Sequence, residues 1–251
     1  MVFSENFFSS GASPSNPNGP GGGPNPKPGP AYPIGTSLRF RGKATDANTP
    51  KLSNSSITCP STFTYSAWCK FPQRQPASDG YATLFNQDGS GGTGKGPNLW
   101  LSTSTNGTSL ISYYVTAGSA TGYEGTPQFN DPSAWYHVVF TSPSNMLYVN
   151  GIGYKPQGDI TLADIDNVPF QIGSGFEAES WVQMDMILAD VYFIDGQELS
   201  PTVFGEYNEI DVWEPINPDF GKGQTRYSDY FTSVSGYEAG SSILQRCHQC
   251  V

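Results

Sequence analysis

Charge is scarce in this sequence. Only 14% of its 251 residues are Asp, Glu, Lys or Arg, against about a quarter in an ordinary soluble domain. Cations are scarcest, with 12 Lys and Arg against 22 Asp and Glu and a formal charge of −10. A nucleic-acid binder must neutralise phosphates with Lys and Arg, so this balance excludes that class. No stretch approaches the ~18 uninterrupted apolar residues that a membrane-spanning helix requires, so no span is expected. The first basic residue is Lys27, so the head lacks the positive region that opens a secretory signal. Aromatic residues, by contrast, are plentiful: 15 Phe, 14 Tyr and 5 Trp. They supply material for a core and exclude a charge-driven disordered chain.

Glycine (29) and proline (21) are unevenly placed, and fifteen of them fall between Gly11 and Gly35. Proline removes donors and glycine adds backbone entropy, so residues 11–35 read as an extended spacer. Ahead of it, residues 1–10 carry Phe3, Phe7 and Phe8. This head is either a frayed terminus or an apolar anchor that docks on another chain. From residue 36 the pattern changes to short alternating strands: Leu38 and Phe40 between Arg39 and Arg41, Phe63 to Lys70, Ala82 to Phe85, Leu99 to Leu101, Leu110 to Val115, Trp135 to Thr141 and Met146 to Val149. Asp185 to Ile194 reads as a strand entering a hairpin at Asp195-Gly196, and Asn150-Gly151 is a second hairpin signal. Only Ser200 to Tyr207 suggests a helical turn, with Pro201 at its first position. Many short strands with Gly-rich turns predict an all-β, two-sheet antiparallel jelly-roll sandwich with an extended N-terminal arm. Leu38, Phe40, Leu99, Leu101, Trp135 and Phe193 are its expected core residues.

Several runs imitate chemistry. Gly89 to Gly96 nearly spells a phosphate-binding loop, but position 96 is Gly where Ser or Thr would hold Mg²⁺, and Asn98-Leu99-Trp100-Leu101 resumes a strand where a helix is needed. Glu209-Ile210-Asp211-Val212-Trp213-Glu214 resembles the paired-carboxylate core of retaining β-glucanases. It follows the expected last strand, however, and is read as an irregular surface segment with Trp213 pinned to the sandwich. Cys247 and Cys250 form a lone CxxC without a second pair to complete a zinc site, and Cys59 and Cys69 are expected to flank a strand as semi-buried thiols. His137 reads as a strand residue, with no Ser-His-Asp set to join. Asp164, Asp166 and Asn167 could offer oxygens to Ca²⁺, although acids on a solvated strand explain them as well. Arg39, Arg41 and Lys43 form a small basic stripe suited to an edge strand. No catalytic residue, metal ligand or cofactor is assigned.

Longer runs carry a resemblance. Ser37-Leu38-Arg39-Phe40, Phe63-Thr64-Tyr65-Ser66-Ala67-Trp68, Trp135-Tyr136-His137-Val138-Val139 and Leu147-Tyr148-Val149-Asn150-Gly151 resemble laminin-G-like, concanavalin A-type jelly rolls. Asp131 to His137, Leu188 to Gln197 and Phe204-Gly205-Glu206 look like the laminin-G-like virion proteins of marine tailed phages, such as cyanophages. The resemblance covers roughly residues 36–207 and implies a non-catalytic structural or adhesive part of a phage particle.

The expected organisation is therefore an anchor (1–10), a spacer (11–35), a jelly roll (36–207) and an irregular tail (208–251). The best-supported reading is a virion structural protein, a capsid decoration or a tail fibre or spike component, assembled in the host bacterial cytoplasm. It would attach to other virion proteins through Phe3, Phe7 and Phe8, and would be multicopy or homo-oligomeric. A receptor-recognition protein binding host-surface glycans comes second, because Tyr, Trp, Asn and Gly loops suit stacking on sugar rings. A jelly-roll glycan hydrolase resting on Glu209, Asp211 and Glu214 comes third.

Overall fold

The computed structural model describes residues 34, 37–40, 51–54, 60–72, 80–87, 98–103, 110–116, 119–123, 125–127, 129, 131–160, 170–173, 182–183, 185–218, 226–227, 233–235 and 248–250. Its strands are β1 (Leu38–Phe40), β2 (Lys51–Asn54), β3 (Phe63–Lys70), β4 (Gly80–Asn86), β5 (Asn98–Thr103) and β6 (Leu110–Thr116). Then follow β7 (Ser119–Gly122), β8 (Tyr136–Ser142), β9 (Leu147–Val149), β10 (Ile152–Tyr154), β11 (Phe170–Ile172) and β12 (Val182–Gln183). The last six are β13 (Met186–Asp195), β14 (Gly205–Tyr207), β15 (Trp213–Pro215), β16 (Arg226–Tyr227), β17 (Ser233–Ser235) and β18 (His248–Cys250).

They form two eight-stranded sheets and a separate hairpin. The first sheet runs β10-β9-β8-β3-β13-β18-β16, with β1 also on β13; the second runs β17-β2-β11-β4-β5-β6-β7, with β12 on β4. Pairing is antiparallel except for β18 on β13 and β12 on β4. The expected all-β sandwich is what the chain builds. Alternation explains why: along β3, Phe63, Tyr65, Ala67 and Cys69 enter the main core, while Ser66 and Trp68 face away from it.

Aromatic rings hold the two sheets together. Phe193 of β13 stacks on Phe63 of β3 at 5.1 Å and meets Phe170 of β11, in the other sheet, at 4.7 Å. Phe85 of β4 reaches Tyr65 at 4.7 Å and Phe170 at 5.7 Å. The Tyr65 hydroxyl donates across the core to the Leu84 carbonyl at 3.2 Å, so its burial leaves that group satisfied.

Turn chemistry at Asn150-Gly151 follows the sequence reading. Both residues have positive φ, 49° and 80°, and join Val149 to Ile152 in register, as a two-residue hairpin requires. The Ser200 hydroxyl accepts from the Thr202 N–H and caps a single 3-10 turn at Pro201–Val203.

Three expectations need correction. Asp195-Gly196 does not open a hairpin with β13, because the other edge of β13 is already occupied by β1 and β18. The chain instead leaves the sheet for the 3-10 turn and for the β14–β15 hairpin. Trp135 is only half-buried at the margin of the sheet, with the Lys70 ammonium 5.9 Å from its ring. Cys69 lies within β3 and is wholly buried, and that burial pushes its thiol pKa up. Phe40, Leu99 and Phe193 are in the core as expected, and Leu38 packs against it in part. The side chain of Leu101 lies outside the described residues.

Candidate functional site

The outer faces of the two sheets differ, and the candidate site is on the second. In β4 the core takes Ala82, Leu84 and Phe85; in β5 it takes Leu99; in β11 it takes Phe170 and Ile172. The intervening residues therefore point outward. Register then aligns them in two rows. Gln171 pairs with Asn86, and Asn86 with Asn98, giving three side-chain amides across three strands. Thr83 pairs with Trp100, which in turn pairs with Tyr113. Thr83, Asn86, Asn98, Trp100 and Gln171 are all buried despite facing away from the core.

Both polar ends of the Asn98 amide, Nδ2 and Oδ1, lack a hydrogen-bond partner, as does the Thr83 hydroxyl. An unmade bond at a buried polar group costs about 1–3 kcal/mol, and folded proteins keep few of them. Two such groups, set beside an indole, form a recessed set of donors and acceptors on the outward side of the second sheet. None of these five residues is a carboxylate or an imidazole, so they can bind and orient but cannot supply a general acid or base.

The first sheet's outer face is closed by the chain itself. Val139, Tyr192 and Ile194 pack with Phe204, Leu199 and Val203, and Trp68 and Ala189 pack with Trp213, Ile34 and Trp135. Between these clusters lies a hydrogen-bonded chain. Trp213 Nε1 donates to His137 Nδ1 at 3.0 Å, and His137 Nε2 is 2.9 Å from Ser66 Oγ. An indole N–H only donates, so Nδ1 must be the acceptor and Nε2 carries the proton. His137 therefore donates to Ser66 and has no lone pair free to take its proton. This is a Ser–His contact with the wrong tautomer for nucleophilic catalysis. Complete burial drives the His137 pKa down from 6.5 to about 3, so the ring is neutral.

The glucanase-like carboxylates are placed on a hairpin, outside both large sheets. Glu209 and Asp211 are exposed on the 208–212 loop, Glu214 is on β15, and Asn208 Nδ2 donates to Glu214 Oε2 at 3.1 Å. Trp213 is buried on the sandwich, as the sequence suggested, and the residue it packs on there is His137. Arg39 is ion-paired with Asp185. Phe3, Phe7, Phe8, Arg41, Lys43, Cys59, Gly89 to Gly96, Asp164 to Asn167 and Cys247 lie outside the described residues. Cys250 is in β18, opposite Ile194 and Arg226. Among the described residues no group of three His, Cys, Asp or Glu could hold a metal ion, and no helix is long and apolar enough to cross a membrane.

The amide row was not singled out by sequence reasoning. Its signal is the alternation Asn98-Leu99-Trp100-Leu101, which puts Asn98 and Trp100 on the face opposite Leu99. That Gln171 and Asn86 continue the row depends on pairing between distant strands, which composition does not reveal.

Comparison with known proteins adds a family. Residues 42–201 match the family described as the concanavalin A-like lectin/glucanases superfamily. Among solved structures, the chain is similar to a heptameric SAP-like pentraxin from Limulus polyphemus (TM-score 0.45, 20% identity, 68% of this chain and 80% of that one). It is also similar to the botulinum neurotoxin type G receptor-binding domain (TM-score 0.39, 15% identity, 66% of this chain and 44% of that one). A third is the carbohydrate-binding module CBM66 from Bacillus subtilis (TM-score 0.37, 10% identity, 62% of this chain and 94% of that one). No curated protein matches the chain.

Proposed function

The chain belongs to the concanavalin A-like lectin/glucanase superfamily, and from that premise we propose that it is a non-catalytic, glycan-binding virion protein. The observation that carries the binding reading is the Asn98 amide, buried, unpaired at both ends, and set in a row with Asn86 and Gln171 beside Trp100. Amide donors and acceptors next to an aromatic plane are the groups that hold a hydroxyl-rich ring. The lectin branch of the family's description agrees with this chemistry.

The virion setting rests on the likeness of Leu188 to Gln197 and Phe204-Gly205-Glu206 to tailed-phage proteins. In this proposal the sandwich is displayed on a phage particle as a capsid decoration or tail fibre component. Residues 1–10 attach it through Phe3, Phe7 and Phe8, and residues 11–35 act as the spacer. The particle would assemble in the host cytoplasm, and multiple copies would gain avidity for repeated host-surface glycans.

A glycan array probed with wild-type protein and Asn98→Ala tests the binding reading. Wild type is expected to bind a defined set of glycans and Asn98→Ala to lose them while keeping its circular dichroism. No binding by wild type, or undiminished binding by the variant, overturns it. Deleting residues 1–10 tests the attachment: the protein should stay folded and fail to enter particles, whereas normal incorporation refutes the anchor.

A further inference from the structure

One corner of the molecule collects the exposed apolar surface. Among the described residues the large exposed apolar side chains are Ile152 (54% exposed), Tyr207 (48%), Ile210 (78%) and Val212 (51%). Single exposed hydrophobics scattered over a surface mean little, but these are gathered in one place. Tyr207, Ile210 and Val212 belong to the β14–β15 hairpin and its loop. Ile152 directly follows the Asn150-Gly151 turn. The Tyr207 hydroxyl donates to the Asn150 carbonyl at 2.8 Å, and Trp213 lies so close to Gly151 that a Cβ there would stand 2.6 Å from its ring. These two contacts clamp the hairpin to the turn.

The loop is held by polar groups, leaving its apolar side chains outside. Asn208 Oδ1 accepts from the N–H groups of both Ile210 and Val212 at 3.0 Å. The Asn208 N–H donates to the Val212 carbonyl at 2.9 Å, and the Asp211 N–H to the Asn208 carbonyl at 3.1 Å. Ile210 and Val212 are thus presented in a fixed geometry that needs none of their own packing, which lowers the ordering cost of binding. Tyr207, Ile210 and Val212 lie beyond the family match, which ends at residue 201, whereas Ile152 lies within it.

We propose that this corner docks a partner polypeptide that presents an apolar side chain flanked by Lys or Arg. Charge selects the occupant. Glu206, Glu209, Asp211 and Glu214 alternate along the chain with Tyr207, Ile210, Val212 and Trp213, so the hairpin and its loop carry four carboxylates and no cation. A second copy meeting the same surface would oppose these carboxylates to their own kind. The head of this chain is also a poor fit, since Glu5 is the only charge among residues 1–26. The surface is separate from the amide row of the second sheet and does not depend on the glycan reading.

Selection of a random displayed peptide library against the full chain tests the proposal. Recovered peptides should carry Lys or Arg around an Ile, Leu, Phe or Trp. A synthetic copy of the winning peptide should bind about tenfold more weakly to the double variant I210S/V212S, which keeps every carboxylate. Binding should also weaken with salt and in E206Q/D211N, and be unchanged in Asn98→Ala. Peptides without basic residues, or equal affinity for I210S/V212S with its circular dichroism intact, would overturn it. So would sedimentation showing a wild-type dimer that I210S/V212S abolishes, which would make the occupant a second copy.

Discussion

The two sheets share one core but treat their outer faces in opposite ways. On the first sheet the polar groups under the 199–213 segment have internal answers: Ser66 has His137, His137 has Trp213, and apolar residues from 199–213 pack beside them. On the second sheet, Asn98 and Thr83 are equally buried and have none. Closing a face uses polar side chains as fasteners, and their cost is met by bonds formed inside the chain. The second face retains polar groups whose cost the chain does not meet with bonds of its own, which is the observation the proposed glycan site would account for. A buried polar residue is therefore informative only together with its partners.

The largest effects should come from the core that the faces share. Phe193 touches Phe63 in its own sheet and Phe170 in the other, so Phe193→Ala should cost about 3–5 kcal/mol. Trp135→Ala, at a half-buried position, should cost clearly less. Urea midpoints separate the two, and equal losses would mean that the sandwich is not centred where the ring contacts place it.

Acid should act on the closed face next. The folded pKa of His137, about 3, lies below the unfolded value of 6.5, so between these values the unfolded chain binds the extra proton. The stabilisation is whole above about pH 6.5 and is lost as pH falls toward about 3. Between about pH 7 and pH 4 it amounts to roughly 3 kcal/mol. Protonation of Nδ1 also removes the acceptor for Trp213. His137→Gln should lack the stability slope between about pH 6.5 and pH 5, where few carboxylates titrate. An identical slope in both proteins would show that His137 is already solvated.

How much of this was legible beforehand depends on range along the chain. Asn150-Gly151 and Ser200-Pro201 are local signals, and both formed the turns that their residues require. Period-2 alternation placed Phe40, Leu99 and Phe193 inward. Trp135 misled because an indole at a strand's start reads as core when only composition is visible. The segment after Asn208 lacks alternation, yet β15 forms because Trp213 docks on His137, 76 residues away. No window of sequence contains that pairing. The amide row is hidden for the same reason: it exists only once β11, β4 and β5 are in register.

A smaller effect isolates the fastener. Trp213→Phe keeps an aromatic ring over Gly151 and beside His137 but deletes the indole N–H. His137 Nδ1 is then buried without a donor, at a cost of about 1–3 kcal/mol. Nitrogen-15 spectra should report the loss as a mixed imidazole tautomer. A single unchanged tautomer would mean that Ser66, with no help from Trp213, sets the proton's position.

The smallest effect is a difference of sign, and it tests the contrast between the faces most directly. Ser66→Ala removes a satisfied hydroxyl and strands the Nε2–H of His137, so it should lower stability by about 1 kcal/mol or somewhat more. Thr83→Val is nearly isosteric and removes a hydroxyl that has no partner. Asn98→Leu likewise exchanges an unpaired amide for apolar surface of similar size. Exchanging an unpaired buried polar group for an apolar one of the same shape is close to neutral or stabilising, by up to about 1 kcal/mol. Both second-sheet variants should therefore match or exceed wild type in urea while losing glycan binding. That trade would mark Thr83 and Asn98 as retained for a ligand at the expense of the fold. A loss of stability in Asn98→Leu comparable to that in Ser66→Ala would show that the amide is bonded within the protein, and the two faces would then be alike.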